Sequence, residues 1–371
     1  MHACSLSLDE KRFFKKNPHC IASLCGLERL DLEKSDRSKA KLDHIFKYKK
    51  ETPEEITETG FKRELTLRDV KRRREVYETV DQLIPEAKKN MVEIEYHRNA
   101  QRPTTSAHIG QLKLFLSTMQ FLLKYSVRGQ PNHVVYPGSA PGNNIDLLTR
   151  LFPHVYWYLY DPRDVFYPKL YQNKNVKKIV VDFFLESHIS ELQETIPKTE
   201  RLLLISDIRV CADVTEETVD RDMRLQEGWV KELKPDYSML KFRLPRHLGK
   251  GYRYLSGELF LQMFAPGSST ETRLVVGKQL DEIEYNVELY EGLMYFFNRR
   301  ARLLCYSGDL GVEPLDCCHD CVATFSLVED YLEEYSPKDL KRAGDFLRKI
   351  LESVGGEKLK KINTDLRRSL V

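Results

Sequence analysis

Tyr136-Pro137-Gly138-Ser139-Ala140-Pro141-Gly142 is the stretch of this sequence best suited to holding a ligand. It follows an apolar run, His133-Val134-Val135, and leads into a helix predicted near 143–152. A strand that breaks into a glycine turn and then a helix brings bare backbone N–H groups up to a ligand. The next apolar run, Val155 to Tyr160, ends on Asp161. An acid at that distance past the glycines is placed to accept hydrogen bonds from ribose hydroxyls. The pair predicts a site for an adenosine-containing cofactor. The spacing is not the G-x-G-x-x-G of dinucleotide sites; it suits S-adenosylmethionine, which has no pyrophosphate to cradle.

Four further polar residues stand where strands or helices should present them to that site. Asp207 terminates Leu202-Leu203-Leu204-Ile205-Ser206, and Lys241 closes Tyr237-Ser238-Met239-Leu240. Glu271 follows the turn at 266–269, and Lys113 lies beside an apolar helical stripe (Ile109, Leu112, Leu116, Met119, Leu123). Singly, each has a plain alternative: a helix cap for Asp207, a turn residue for Glu271, a solvent-reaching side chain for either lysine. In open α/β sheets ligands sit outside the carboxyl ends of the strands, so the four together mark one crevice.

The elements that must position them read as follows. A helix runs from Ala107 to Tyr125. Strands are predicted at 133–136, 155–161, 177–183, 201–207 and 237–242, and helices near 143–152, 164–171, 187–196 and 216–233. That alternation predicts βαβ units and a mostly parallel, buried sheet. Runs 258–264 and 271–277 read as a hairpin closing one edge; 281–304, 314–334 and 336–353 read as helical, followed by a basic tail. The fold class is α/β: a Rossmann-like sheet with helical extensions at both ends. The divisions predicted are a charged, mainly helical extension over 1–105, a central domain over 106–305 and a helical extension over 306–371.

With 371 residues and 41% hydrophobic content the chain can bury a substantial core, and its net charge of +3 is mild. Basic clusters at Lys11–Lys16, Lys47–Lys50, Lys71–Arg74, Asn298–Arg302 and Lys358–Arg368 read first as solvated helix faces. No signal peptide or membrane span is predicted, so the eight cysteines are expected to be reduced thiols of an intracellular protein. Cys317-Cys318-His319-Asp320-Cys321 contains metal-binding residue types. It lacks the two separated ligand pairs of a structural zinc site, and no metal is expected there.

The motifs resemble those of the poxvirus cap-specific mRNA 2′-O-methyltransferases, which also serve as poly(A) polymerase small subunits, and more broadly the FtsJ-type RNA 2′-O-methyltransferases. The resemblance covers about residues 108–305. It runs through Gly110-Gln111-Leu112-Lys113, the 136–142 loop, Leu204 to Arg209, Leu240-Lys241-Phe242-Arg243, Phe264-Ala265-Pro266 with Glu271 to Leu274, and Tyr290 to Tyr295. It implies a Lys-Asp-Lys-Glu tetrad at Lys113, Asp207, Lys241 and Glu271, with Lys241 as base or steering group and Lys113 as second cation. It places Gln111, Tyr136, Gly138, Gly142 and Asp207 near the methionine end of S-adenosylmethionine, Asp161 and Arg163 at its ribose, and Asp182, Phe183 and Phe184 beside adenine. It implies Arg209 and Arg243 at RNA phosphates and Glu291 at the cap. The aromatic residue of the family after the catalytic strand is replaced by Pro245-Arg246-His247, which shifts cap stacking to Tyr252, Tyr254 or an N-terminal aromatic. The expected partners are the capped 5′ end of mRNA and a poly(A) polymerase, capping or transcription subunit. The expected location is cytoplasm for a viral chain and nucleus for a cellular one. An rRNA or tRNA 2′-O-methyltransferase, and a non-catalytic RNA-binding processivity subunit, are the alternative functions.

Overall fold

The computed structural model describes residues 76–90, 110–209, 215–246, 251–267, 269–299, 301–303, 310, 312, 315 and 318–354. Most of the N-terminal extension, Ile109, His247, the basic tail and six of the cysteines (4, 20, 25, 211, 305 and 317) lie outside them.

Seven strands form one sheet. In chain order they are β1 (Asn132–Pro137), β2 (Val155–Tyr160), β3 (Val176–Val180), β4 (Arg201–Ser206), β5 (Tyr237–Phe242), and two more at Glu258–Phe260 and Thr272–Gly277. The first five are mutually parallel, in spatial order β3-β2-β1-β4-β5. Thr272–Gly277 pairs antiparallel with β5, and Glu258–Phe260 pairs antiparallel with it in turn. The predicted edge hairpin is thus present, with its first arm shortened. Chain order reverses between β1 and β4, which puts the switch-point crevice at their carboxyl ends.

A two-stranded sheet was not predicted. Gly251–Leu255 (β6) pairs antiparallel with Glu282–Asn286 (β9), so the hairpin strands become β7 (Glu258–Phe260) and β8 (Thr272–Gly277). Residues 281–304, expected as continuous helix, begin as a strand. Glu282-Ile283-Glu284-Tyr285 alternates with period two, and only Tyr285 of its side chains is buried.

Helices cover both faces. On one side lie α2 (Gly110–Tyr125), α3 (Ile145–Leu151), α7 (His319–Tyr335) and α8 (Ala343–Ser353); on the other lie α1 (Val80–Asn90), α4 (Glu186–Thr195), α5 (Glu216–Leu233) and α6 (Val287–Arg299). The first face buries Leu112, Phe115, Leu116 and Met119 of α2 against Val134, Trp157 and Leu203. The second buries Ile189, Met223, Val230 and Phe297 against Val135, Leu204 and Leu240. The strands are apolar on both faces because both are covered. The edge at β7 is covered as well: Leu261 N–H donates to Glu78 O at 2.8 Å and Thr79 bridges Phe260, ahead of α1.

Candidate active site

Strand register gathers the charged residues before any side chain is considered. Ser206 lies opposite Leu240 across the β4–β5 ladder, so the next residues, Asp207 and Lys241, emerge side by side at the carboxyl ends. On the other side of β5, Lys241 is registered with Arg273 of β8. Glu271, two residues earlier, shares a face with Arg273. Lys113 comes from the first turn of α2, whose apolar side is locked to the sheet.

The four residues meet. Lys113 Nζ donates to Glu271 Oε1 at 2.6 Å, Lys241 Nζ stands 3.0 Å from Asp207 Oδ1 and 4.0 Å from Glu271 Oε2, and Lys241 Nζ also donates to Ile208 O at 3.3 Å. Arg273 joins them. Its Nη2 lies 2.8 Å from Asp207 Oδ1 and 3.5 Å from Glu271 Oε1, and its Nη1 donates to Ser206 O at 3.3 Å. At 1% exposure Arg273 is fully committed to this set. The cluster therefore contains three cations and two anions.

Two glutamines hold the frame. Gln226 of α5 donates to Lys241 O and accepts from Lys241 N–H, both at 3.0 Å, serving the strand edge where the β4 ladder has ended. Gln262 accepts from Arg273 Nε at 2.9 Å and donates to Glu271 O at 2.9 Å and Glu271 Oε1 at 3.2 Å. None of the three residues was assigned a role from sequence. A single arginine inside Thr272-Arg273-Leu274-Val275-Val276 was the available signal, since an unpaired charge is not tolerated in a covered strand.

Electrostatics follow from this packing. Burial alone would raise the Asp207 carboxyl, but Lys241, Arg273 and Lys113 outweigh burial and the repulsion of Glu271, and hold it at about 2. Glu271 is likewise pushed up by burial and brought well below the usual carboxylate range by Lys113, Lys241 and Arg273. Both acids are anions at neutral pH. Burial, reinforced by the Asp207 charge, raises the nearby Tyr136 phenol, so it stays a neutral hydroxyl.

The glycine loop approaches from β1. Gly138 has φ +79°, and a Cβ there would sit 2.8 Å from the backbone carbonyl of Asp207. No other residue type lets the two strand ends close to this distance. Asp207 N–H in turn donates to Pro137 O at 3.2 Å. The expectation of bare N–H groups in this loop is corrected. Gly138 N–H and Ser139 N–H donate to Tyr160 O at 2.8 and 3.4 Å, and Ala140 N–H donates to Asp161 Oδ2 at 3.2 Å. The loop curls over the end of β2, which takes up these three donors. Gln111 is tied to the loop's exit, where Asn144 Nδ2 donates to Gln111 O at 2.7 Å and Oε1 at 3.0 Å.

Asp161 is 3% exposed, and its outer contacts are to Arg163. Oδ1 accepts from Arg163 N–H and Nε at 3.0 and 2.9 Å, and Oδ2 accepts from Arg163 Nη2 at 3.0 Å. Arg163 is 62% exposed, so its guanidinium can swing aside for a ribose diol while the backbone donors stay. Phe183 is half exposed, whereas Phe184 is buried against Tyr160 and Trp229 and belongs to the core. The donor set fits an adenosine sulfonium cofactor: a buried acid for ribose, a close backbone turn, and an ionised Asp207 toward a cationic centre. It contains no phosphate cradle.

Beside Lys241 and Glu271 opens a cleft of about 270 Å³, lined among others by Arg209, Thr218, Asp222, Arg243 and Arg246. Arg243 Nη2 is 2.5 Å from Glu216 Oε1 at the start of α5. Glu291 of α6 is ion-paired with Arg246 Nε. Tyr252 and Tyr254, expected as stacking platforms, are not available for that. They are 3% and 0% exposed, with hydroxyls donated to Asp220 Oδ1 and Met223 O at 2.7 and 2.8 Å. On β6 they face α5 and complete the core, a placement that depends on the second sheet. At the segment 317–321, His319 faces Asp320 and Tyr77 O, Cys321 is buried, and among the described residues no set of three metal-ligating side chains converges.

A family model described as poly A polymerase regulatory subunit matches residues 82–322. The chain belongs to that family. It is also 34% identical over 210 residues to the fowlpox virus (strain NVSL) protein named cap-specific mRNA (nucleoside-2′-O-)-methyltransferase, covering 52% of this chain and 68% of the relative. The family match takes in all four converging residues and Arg273, and extends from α1 into α7. No helix among the described residues is long and apolar enough to cross a membrane.

Proposed function

We propose that this chain transfers a methyl group from S-adenosylmethionine to the ribose 2′-hydroxyl of a cap-proximal mRNA nucleotide. The observation that carries the reading is the convergence of Lys113, Asp207, Lys241 and Glu271 at the switch point, between a glycine turn and an arginine-lined cleft. The fowlpox relative's name supports the same activity.

When bound, the cofactor supplies an electrophilic methyl on a sulfonium. The residues of this chain do the rest. Lys241 Nζ spends two contacts on Asp207 and Ile208 O, which fixes its amine and leaves its third valence toward the cleft. There, as the neutral amine, it orients the 2′-oxygen for in-line attack and takes the hydroxyl proton to become ammonium, as the oxygen–methyl bond forms and the sulfur–methyl bond breaks. Arg273 gives this step its charge balance. With three cations against two acids, a neutral Lys241 leaves the cluster at zero net charge, whereas the tetrad alone would be left with an excess anion. Lys113 keeps Glu271 in place through its 2.6 Å contact. Arg209 and Arg243 meet phosphates on the cleft wall, with a phosphate displacing Glu216 from Arg243. Glu291, freed from Arg246, offers an acid to a cationic methylguanine.

A poly(A) polymerase catalytic chain is a proposed partner, supported by the family description. The deciding assay supplies labelled S-adenosylmethionine with capped, uncapped and structured RNAs. Label at the 2′-oxygen of capped RNA alone is the expected result. Label on structured uncapped RNA would replace the cap reading with an rRNA or tRNA one, and no label on any RNA would leave a non-catalytic RNA-binding subunit.

A further inference from the structure

Glu271 reaches the cluster on an irregular loop, and what fixes that loop lies behind it. Between the end of β7 and the start of β8 the chain leaves the sheet at Leu261 and returns at Thr272. Within the loop, Ser269 N–H donates to Pro266 O at 2.9 Å, Glu271 N–H to Ser269 Oγ at 3.1 Å, and Gln262 Nε2 to Glu271 O at 2.9 Å and Glu271 Oε1 at 3.2 Å. Among its described residues the backbone is strained at one point. Phe264 has φ +55° and is 2% exposed, a conformation that costs a residue with a side chain about 1–2 kcal/mol. Strain of this kind persists where surrounding structure over-determines it.

The surrounding structure here is helical and comes from later in the chain. At the loop's entry, Phe264 N–H donates to Asp320 Oδ2 at 2.8 Å. Asp320, on α7, is held in turn by Arg302 Nε at 2.8 Å and Nη2 at 2.5 Å, with His319 Nδ1 at 3.3 Å from its other oxygen. At the exit, Asn298 Nδ2 of α6 donates to Ser269 O at 2.8 Å, and Asn298 Oδ1 accepts from Arg302 Nη1 at 3.2 Å. About two turns earlier on α6, Tyr290 Oη donates to Thr270 O at 2.5 Å and contacts Thr272 Oγ1 at 2.9 Å. These two contacts straddle Glu271. The Arg302 side chain links the entry and exit sets into one buried polar network.

We propose that Tyr290 and Asp320 are positioning residues, which hold the loop 264–271 from behind and thereby set where the Glu271 carboxylate meets Lys113 and Lys241. Neither side chain touches the cluster, so each acts through the loop backbone. The buried acid of α7 thus accepts, besides its bonds from Arg302, a strained N–H seven residues before Glu271. The inference rests on the tetrad reading of the site for its kinetic consequence, but its geometry stands apart from it.

The test uses the full chain, Tyr290→Phe and Asp320→Asn, and carbon-13 glutamate labelling, with Glu271→Gln to assign the Glu271 carboxyl signal. Tyr290→Phe removes one oxygen and leaves the packing volume intact. In wild type, burial would raise the Glu271 carboxyl, but Lys113, Lys241 and Arg273 hold it well below its ordinary range. In both variants the Glu271 titration is expected to rise as the carboxylate loses its fixed approach to those cations. Displacement of that order is expected to lower kcat by about 10-fold to 100-fold, with KM for capped RNA moved by less than about threefold. Unchanged Glu271 titration in Tyr290→Phe overturns the proposal, whatever happens to thermal stability or to kcat. If Asp320→Asn does not fold, Tyr290→Phe decides alone. If wild type methylates no RNA, the proposed function falls, and the Glu271 titration still judges this inference.

Discussion

Arg302–Asp320 and Lys241–Asp207 are both buried ion pairs, yet their charges are balanced in different ways. Around Asp320 one acid meets one guanidinium, the pair is 5% and 2% exposed, and the remaining contacts go to a backbone N–H, an asparagine and a histidine. Around Asp207 two acids meet three cations, and Lys241 and Asp207 each keep 16% exposure beside a cleft. The sealed pair satisfies its own members and fixes chain geometry. The open set keeps one surplus positive charge and a face toward incoming substrate. Buried charge that is complete serves architecture; buried charge left one unit out of balance is available for proton chemistry.

Removing Lys241 should break this contrast most visibly. Lys241→Ala is expected to lower methyl transfer by about 10²–10⁴-fold, the range for a lost acid–base group, with cofactor binding by calorimetry retained. Its unfolding midpoint in urea should hold, because Asp207 keeps Arg273 as a partner. Arg302→Leu should do the reverse. It strands Asp320 without its guanidinium, and breaking a buried pair from one side costs about 3–5 kcal/mol. Equal losses of stability in the two variants would erase the distinction between the sites.

Acid titration compares the two sites on one scale. Burial raises Asp207 and Asp320 alike, and Lys241 with Arg273 in one case, Arg302 with His319 in the other, bring each down to about 2. A carboxyl depressed in the folded state stabilises the fold above its unfolded value of about 3.9, and that stability is lost as pH falls toward the folded value. The unfolding free energy read from urea titrations should therefore drop between about pH 4 and pH 2, by on the order of 2 kcal/mol for each acid. Asp320→Asn and Asp207→Asn should each flatten the acid slope. A slope unchanged in either variant would mean that acid is not depressed in the folded state.

Legibility from sequence followed the same divide. The parallel strands were readable because each is a short apolar run followed by helical periodicity, and Asp207, Lys241 and Glu271 were readable because each stands at a strand boundary. Arg273 was hidden for the opposite reason: it lies inside β8, where its partners come from β4 and from Gln262, and only register brings them together. The β6–β9 sheet escaped because Glu282 to Asn286 runs directly into α6, whose stronger helical stripe dominates any window across the junction. Missing that sheet made Tyr252 and Tyr254 look like free aromatic surfaces, when β6 turns them into the core beneath α5. Gln226 gave no signal and Asp320 stood out only within the metal-type segment 317–321, since a polar residue on a helix is ordinary until its partner strand or loop is known.

The smallest expected effect concerns a third pair, half sealed and half open. Asp161 is buried, while Arg163, which grips both its oxygens, is mostly in water. An exposed guanidinium adds little to stability, so Arg163→Ala should change the unfolding free energy by less than about 1 kcal/mol. Once the arginine is gone the outer lone pairs of Asp161 pass to water, and a ribose diol then competes with solvent rather than with a tethered cation. Calorimetric affinity for S-adenosylmethionine should accordingly shift by less than about threefold in Arg163→Ala. Asp161→Asn, by contrast, removes the charge from the acceptor and should weaken binding by about tenfold or more. Equal losses would assign the ribose contact to the arginine as much as to the acid, and a loss confined to Arg163→Ala would move it off Asp161 altogether.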